Sequence, residues 1–254
     1  MYITTTGLVL RETMYKESSK ILTVLTADEG KITVSAKGAR RRGSKTAAAT
    51  QFLAYSEMTL FNSRGRWILN DARSIEQFAG LREDLELLSL GAYFAEVLET
   101  LADEDSPNPE MLSIGLNALF ALSENKKNKL VVKAAFEMRM LCLAGFEPML
   151  DFCQICGKTE VEEPCLSLSG GVLHCRKCAL EGIAEPSVPL SLGALAALRH
   201  IARAEPKKIF SFQIGEATLK NLSEVCERYG QVQLDKNFKT LDFYKSIKDT
   251  CSDV

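Results

Sequence analysis

Tryptophan occurs once in this chain of 254 residues and histidine twice. No uncharged apolar run reaches membrane-spanning length, so a helical membrane protein is excluded. The first residues, Met1 to Thr6, hold neither a basic n-region nor a long apolar stretch, so no signal peptide is expected. With two histidines, imidazole catalysis has few places to sit. His174 adjoins Cys175 and reads as an alternate metal ligand or a solvent-facing neighbour; His200, beside Arg199 and Arg203, reads as a surface or cap residue. There is no Gly-x-Ser-x-Gly elbow, no His-Glu-x-x-His pair and no dinucleotide fingerprint. Asp103, Glu104 and Asp105 cluster in a proline-containing break, where a solvated loop is expected. No internal repeat or low-complexity tract is present, and an enzyme reading has little to stand on.

What is there is unevenly distributed. Residues 1–80 hold 12 Lys and Arg against 7 Asp and Glu, whereas the remainder holds 19 against 26. A basic N-terminal unit thus precedes an acidic remainder, which points to a polyanion partner for the first part only.

That first part reads as β structure. Strands are expected at Tyr2–Glu12, Ile21–Leu25, Lys31–Ala36, Phe52–Phe61 and Trp67–Ile75, separated by turn signals such as Asp28-Glu29-Gly30 and Arg64-Gly65. Five short strands within about 75 residues fit an OB-type barrel, with an SH3-like barrel as the alternative. Between the third and fourth strands lies Lys37-Gly38-Ala39-Arg40-Arg41-Arg42-Gly43-Ser44-Lys45, five cations in nine residues without an acid. Cations at this density match the sequence-independent phosphate term of nucleic-acid binding. Lys37, Arg40, Arg41, Arg42 and Lys45 are therefore the candidate DNA-binding residues, a solvated charged loop being the bland alternative. Phe52, Tyr55, Phe61 and Trp67 are the aromatics available for base stacking, though some must be core. The segment is not a P-loop: Ser44 pushes Lys45 one place too far, and no long amphipathic helix follows.

From Leu81 the apolar period becomes helical, with Leu85, Leu88, Ala92, Ala95, Leu98 and Leu101 on one expected stripe. Further helices are expected near Glu110–Leu122, Lys129–Ala144 (Gly145 as C-cap), Ser191–Ala204, Glu216–Tyr229 (Gly230 as C-cap) and Phe238–Ile247. The expected domains are 1–80, an α-helical domain of 81–150 with 182–254, and an inserted module at 151–181. Lys126 and Lys127, with Lys129, Lys133 and Arg139 beside Val132, Phe136 and Met140, place cations along the third helix. Such a stripe is a solvated face or a rim for an acidic partner peptide.

Cys153, Cys156, Cys175 and Cys178 form two Cys-x2-Cys knuckles with 18 residues between them. Four soft thiolates at this spacing suit tetrahedral Zn²⁺, and a site filled by cysteine alone is closed and structural. Disulfides or ordinary buried thiols are the alternatives. Cys142 and Cys226 sit inside helical patterns as free thiols, while Cys165 and Cys251 have no obvious partner. A reducing cytoplasm is the simplest expectation.

In this order of parts the chain resembles the RecO family of bacterial DNA-repair and recombination mediators. The resemblance is carried by Gly7-Leu8-Val9-Leu10, Ser19 to Thr26, Gly30-Lys31 and Ala36-Lys37-Gly38-Ala39-Arg40-Arg41. It continues in Leu143 to Pro148, the two knuckles with Ser169-Gly170-Gly171-Val172 between them, Arg228-Tyr229 and Lys239-Thr240-Leu241. Glu12-Thr13 departs from the family's usual pair and removes a cation near the barrel face. The resemblance implies a multidomain α+β protein: an N-terminal OB-fold, a helical domain and a zinc module. It implies binding of single- and double-stranded DNA, strand annealing, and work with RecR to load RecA on DNA coated by single-stranded-DNA-binding protein, in the bacterial cytoplasm at the nucleoid. That coating protein's acidic, apolar tail is expected to dock on Lys129, Lys133 and Arg139.

Overall fold

The computed structural model describes residues 1–182 and 186–252, with side chains described except at 182 and 249–252; the Cys251 thiol lies outside the described residues. In chain order the strands of the first part are β1 (Tyr2–Tyr15), β2 (Ser19–Thr26), β3 (Lys31–Ala36), β4 (Tyr55–Ser63) and β5 (Arg66–Glu76). Helices α1 (Ala79–Glu83), α2 (Leu85–Leu101), α3 (Pro109–Ser123) and α4 (Lys129–Leu143) follow. Then come β6 (Pro164–Ser167), β7 (Leu173–Cys175), α5 (Arg176–Gly182), β8 (Ser187–Pro189), α6 (Leu192–Arg203), α7 (Glu216–Leu234) and α8 (Lys239–Ser252). Contacts divide the chain into two compact units, residues 1–124 with 238–254, and residues 125–237. The helices expected as one domain are thus shared between both units.

In the first unit, β1 to β5 close into a barrel in the order β1-β2-β3-β5-β4. The step from β3 to β5 is a parallel pairing of only two positions, Val34 with Trp67 and Ser35 with Ile68. This is the OB-type arrangement. Period-two alternation turns Leu22, Val24, Ile32, Val34 and Ala36 inward, where they pack with Val9, Met58 and Leu60. β1 pairs with β2 on one edge and β4 on the other, and Gly7 lies where both partners meet it. A Cβ at Gly7 would come within 2.6 Å of Val24 Cγ1, so closure needs glycine there. A bulge between Val9 and Arg11 then carries β1 outward; Arg11–Tyr15 pairs with β2 alone among the described residues.

Asp84 caps α2 by accepting from the N–H groups of Glu86 and Leu87. The buried side of α2 keeps Ala95 and Leu98 of the expected stripe but not its start: Leu85 is 56% exposed, whereas Leu87, Leu90 and Phe94, off the stripe, are buried, because α1, α3, α8 and the barrel all pack on this helix. Arg11 pairs with Glu99 at 2.7 Å, and Lys31 Nζ donates to the Glu99 carbonyl at 2.8 Å, joining barrel and α2. Tyr93 meets Phe238 edge-on at 5.5 Å, and Thr240 donates from N and Oγ1 to Glu96.

In the second unit, α4 packs on α6 and α7, and a three-stranded sheet, β7-β6-β8, carries α5. Gly145 follows α4 at φ 89°, the left-handed position expected of a cap. Gly230 is not a cap. α7 runs on to Leu234 and ends at Asp235 with φ 45°, while Gly230 lies inside the helix facing Leu141.

The cationic stripe expected on α4 does not form as expected. Lys133 is 2% exposed and pairs with Glu137 at 2.8 Å and Glu227 at 3.0 Å. Burial alone lowers the pKa of an ammonium group, but the two carboxylates outweigh it and hold Lys133 above the ordinary lysine value. Arg139 donates to the carbonyl of Ala202, and Lys129 is half-buried. The spacing that aligned Lys133 with Phe136 and Met140 placed it on the packed face, and its counter-charge Glu227 comes from 94 residues away. Lys133 is therefore closed to a docking peptide, and Lys129, Lys133 and Arg139 do not share one exposed face. Lys133→Met is expected to cost about 3–5 kcal/mol, because it strands two carboxylates in the interior. Lys133→Met with Glu137→Leu and Glu227→Gln should recover most of that loss. Denaturant unfolding followed by helix circular dichroism checks both; Trp67 emission would report the barrel instead.

Candidate nucleic-acid interface and metal centre

The five loop cations are all exposed, and none is in an ion pair among the described residues. The loop carrying them is nevertheless fixed. Ala39 is 1% exposed and sits in the barrel core, between Gly38 and Arg40. The Arg40 N–H donates to the Ser18 carbonyl at 3.0 Å and Gly38 N to Ser19 Oγ at 3.4 Å, tying the loop to the β1–β2 turn. Successive turns, Arg41 N to Gly38 O and Ser44 N to Arg41 O at 3.0 Å each, reverse the chain at Gly38 and Gly43, whose φ values are 71° and 77°. Lys37, Arg40, Arg41, Arg42 and Lys45 are thus displayed on a short backbone with little freedom. Cations held so, with no carboxylate in an ion pair with them, raise the local potential for a polyanion.

Beside the loop, an open groove of about 830 Å³ runs over β2, β3, the β1–β2 turn and the β4–β5 hairpin. Lys16, Lys37, Arg64 and Arg66 line it, together with Tyr15 and Trp67, and no carboxylate does. Of the four aromatics named from sequence, only Trp67 reaches this groove. Phe61 stacks with Tyr2 at 4.8 Å instead, and Phe52 and Tyr55 are half-buried away from it. Sequence reasoning missed Lys16, Arg64 and Arg66 as one group; the signal was the pair of arginines flanking the Gly65 turn. Glu12, the departure from the family pattern, pairs with Lys20 at 2.5 Å, and Lys20 also donates to the Thr50 carbonyl. Lys20 is therefore a brace and not a free cation.

In the second unit the Sγ atoms of Cys153, Cys156, Cys175 and Cys178 lie within 4.8 Å of one another. Four such atoms could hold a metal ion. Cys175 Sγ is 3.8 Å from both Cys153 and Cys156, well beyond the ~2.04 Å of a disulfide. The first knuckle is a turn with Gly157 at φ 72°, closed by Gly157 N to Cys153 O and Cys153 N to Lys158 O at 2.8 Å each. The second spans the β7–α5 junction, presented by the β6–β7 hairpin in the register Pro164 with Cys175. Burial raises the thiol pKa of Cys153, but backbone hydrogen bonds from Cys156, Cys175 and Ile155 outweigh it and hold Cys153 down at about 6. Cys178 is instead pushed up to about 12, chiefly by its side-chain hydrogen bond with Cys175, so the backbone favours thiolate at Cys153 of the first knuckle and not at Cys178 of the second. His174 is not among the clustered ligands and is not solvent-facing: it is 5% exposed and opposite Cys165 across the ladder. His200 stands in the last turn of α6, its Nε2 3.0 Å from the Lys208 carbonyl, as a cap or surface residue should.

A closed OB-type barrel with an exposed cationic loop, fused to helices that carry a tetrathiol cluster, defines the class. Residues 1–78 match the family described as Recombination protein O N terminal, and residues 82–242 match Recombination protein O C terminal. The chain is 34% identical over 246 residues to a DNA repair protein RecO of Acetivibrio thermocellus, with 97% of each chain covered. Against the proteins of the same name from Alkaliphilus metalliredigens and Caldicellulosiruptor bescii it is 30% identical, over 97% of this chain and 100% and 99% of theirs. The chain belongs to the RecO family of DNA repair proteins. No helix among the described residues is long and apolar enough to cross a membrane.

The backbone leading into the first knuckle is held by α6. Arg199 donates from Nε and a terminal nitrogen to the Leu150 carbonyl at 2.9 and 2.7 Å, and Arg203 pairs with Asp151. Hydrogen bonds from a charged donor contribute about 1.5–3 kcal/mol. Arg199→Ala is expected to accelerate amide exchange at residues 151–157 while leaving exchange in the barrel strands unchanged.

Proposed function

We propose that this chain is a DNA-binding recombination mediator that anneals complementary strands without cleaving a bond or hydrolysing ATP. What carries the reading is the fixed, carboxylate-free loop bearing Lys37, Arg40, Arg41, Arg42 and Lys45. Two DNA strands repel through their phosphates, and a protein that neutralises both backbones lowers that barrier. Phosphate contacts leave base edges free to pair. Membership of the RecO family supports the rest of the reading: single- and double-stranded DNA as ligands, and RecR as partner in loading RecA on DNA coated by single-stranded-DNA-binding protein. The expected place of work is the bacterial cytoplasm at the nucleoid.

Zn²⁺ is the proposed occupant of the tetrathiol cluster, and residues 151–181 are its module. A tetrahedron with Zn–S bonds of ~2.3 Å has sulfur–sulfur edges of ~3.8 Å, which is the spacing of Cys175 from Cys153 and Cys156. With all four positions taken by sulfur, the ion supplies folding energy to the module and no open site for substrate.

If the loop engages about five phosphates, log K for single strands falls against log[salt] with a slope of roughly −3.5. Replacing Arg40, Arg41 and Arg42 by Ala should flatten this slope by roughly 2 units for every base sequence alike, and should slow annealing of bare strands. Unchanged affinity, slope and annealing rate in this variant would remove the loop from the mechanism. For the metal, elemental analysis of the purified chain should find one zinc per molecule. Cys175→Ser should lose it and unfold the 151–181 module while the barrel strands keep their amide protection.

A further inference from the structure

The groove beside the cationic loop carries aromatic rings as well as charge. Trp67 is half-buried: it packs against the barrel core cluster and also lines the groove. Its ring is therefore held in place before any ligand arrives. Tyr15 also lines the groove, with the Lys16 ammonium 5.4 Å from its ring centre. The outward side chains of β3, Thr33 and Ser35, add hydroxyls to the lining. The groove opens beside the weakest seam of the barrel, the two-position pairing of β3 with β5. Lys37 belongs both to the groove lining and to the start of the loop, so a strand held by the loop is led into the groove.

We propose that this groove seats an unpaired stretch of DNA with a base stacked on Trp67, and that it gives the protein a preference for single strands over duplex. The proposal rests on the DNA-binding reading of the loop. Four cations without a carboxylate favour a polyanion, and an anchored indole favours the flat face of a base. A duplex satisfies the first requirement but not the second. Its base faces are covered by their neighbours, and exposing one costs a few kcal/mol of unstacking. The loop is indifferent to this distinction, because it meets phosphates only. Stacking uses the face of a base and leaves its pairing edge outward, which suits a protein that brings complementary strands together.

Trp67 is the only tryptophan in the chain, so its emission reports the groove and the adjoining barrel core and no other region. The full chain is titrated with three end-labelled probes of equal length: an oligothymidylate, the same deoxyribose-phosphate chain without bases, and a blunt duplex. Probe anisotropy reads binding and Trp67 emission reads stacking. All three should bind, and only the oligothymidylate should quench the emission. Trp67→Ala should weaken the oligothymidylate by about ten-fold, within the range of one lost base stack. Because Trp67 also supports the core, Thr33→Glu serves as a variant outside it. A carboxylate at this exposed position should lower single-strand affinity by about ten-fold and duplex affinity by less than about three-fold. Saturation by oligothymidylate with unchanged emission would overturn the proposal, as would equal losses for both forms in Thr33→Glu. The loop is judged separately: if Arg40, Arg41 and Arg42 can all become Ala without weakening the duplex, the loop reading fails, whatever Trp67 emission shows.

Discussion

The burial of one small residue, Ala39, governs much of what the first unit presents to solvent. Lys37, Arg40, Arg41 and Arg42 repel one another, and a free loop would relieve that repulsion by spreading into solvent. Instead the methyl group of Ala39 is packed in the barrel core, and the N–H groups on either side are claimed by the β1–β2 turn. The core therefore holds like charges closer than they would choose to be. Such a cluster is relieved by a polyanion, so the stability of the barrel is converted into affinity. The same turn contributes Lys16 to the adjoining groove, and thus one anchor sets the positions of both cationic groups.

Charge is treated in opposite ways in the two units. In the barrel unit the loop cations are exposed and outside any ion pair, Arg40 donating to the Glu17 carbonyl. In the other, Lys133 is withdrawn from water and surrounded by Glu137 and Glu227, which fixes the register of α4 against α7. An apolar trio could fill that space as stably, but a lysine needing two carboxylates accepts few alternative packings. The tetrathiol cluster obeys a similar logic. Backbone N–H groups and the Arg199 clamp brace the first knuckle, so its two sulfurs are presented by hydrogen bonds of the surrounding chain.

Local patterns were legible in the sequence, and partners distant along the chain were not. The strand Lys31–Ala36 was read to the residue because its alternation faces a single core. The thiol spacing forecast the cluster, because each Cys-x2-Cys pair is set locally, the first by a tight turn and the second by the β7–α5 junction. The expected α2 stripe held at Ala95 and Leu98 and missed Leu87, Leu90 and Phe94, because that helix is covered from several sides and periodicity no longer singles out one face. Gly230 was misread as a stop because a small residue that lets α7 approach Leu141 looks the same in sequence as a cap. Lys133 was misplaced for want of Glu227, and the groove went unseen because Lys16, Lys37, Arg64 and Arg66 come from three separate connections.

The bulge between Val9 and Arg11 has a bearing on self-association. Beyond it, Arg11 to Tyr15 present a row of backbone groups that no neighbouring strand occupies among the described residues. An open edge of this kind invites a second copy of the chain to extend the sheet. Here the edge begins with a charged pair of residues, Arg11 and Glu12, engaged with Glu99 and Lys20. It is also bent away from the barrel by the extra residue. An incoming strand would have to strip water from both ion pairs and follow the kink, so the ribbon resists edge-to-edge growth.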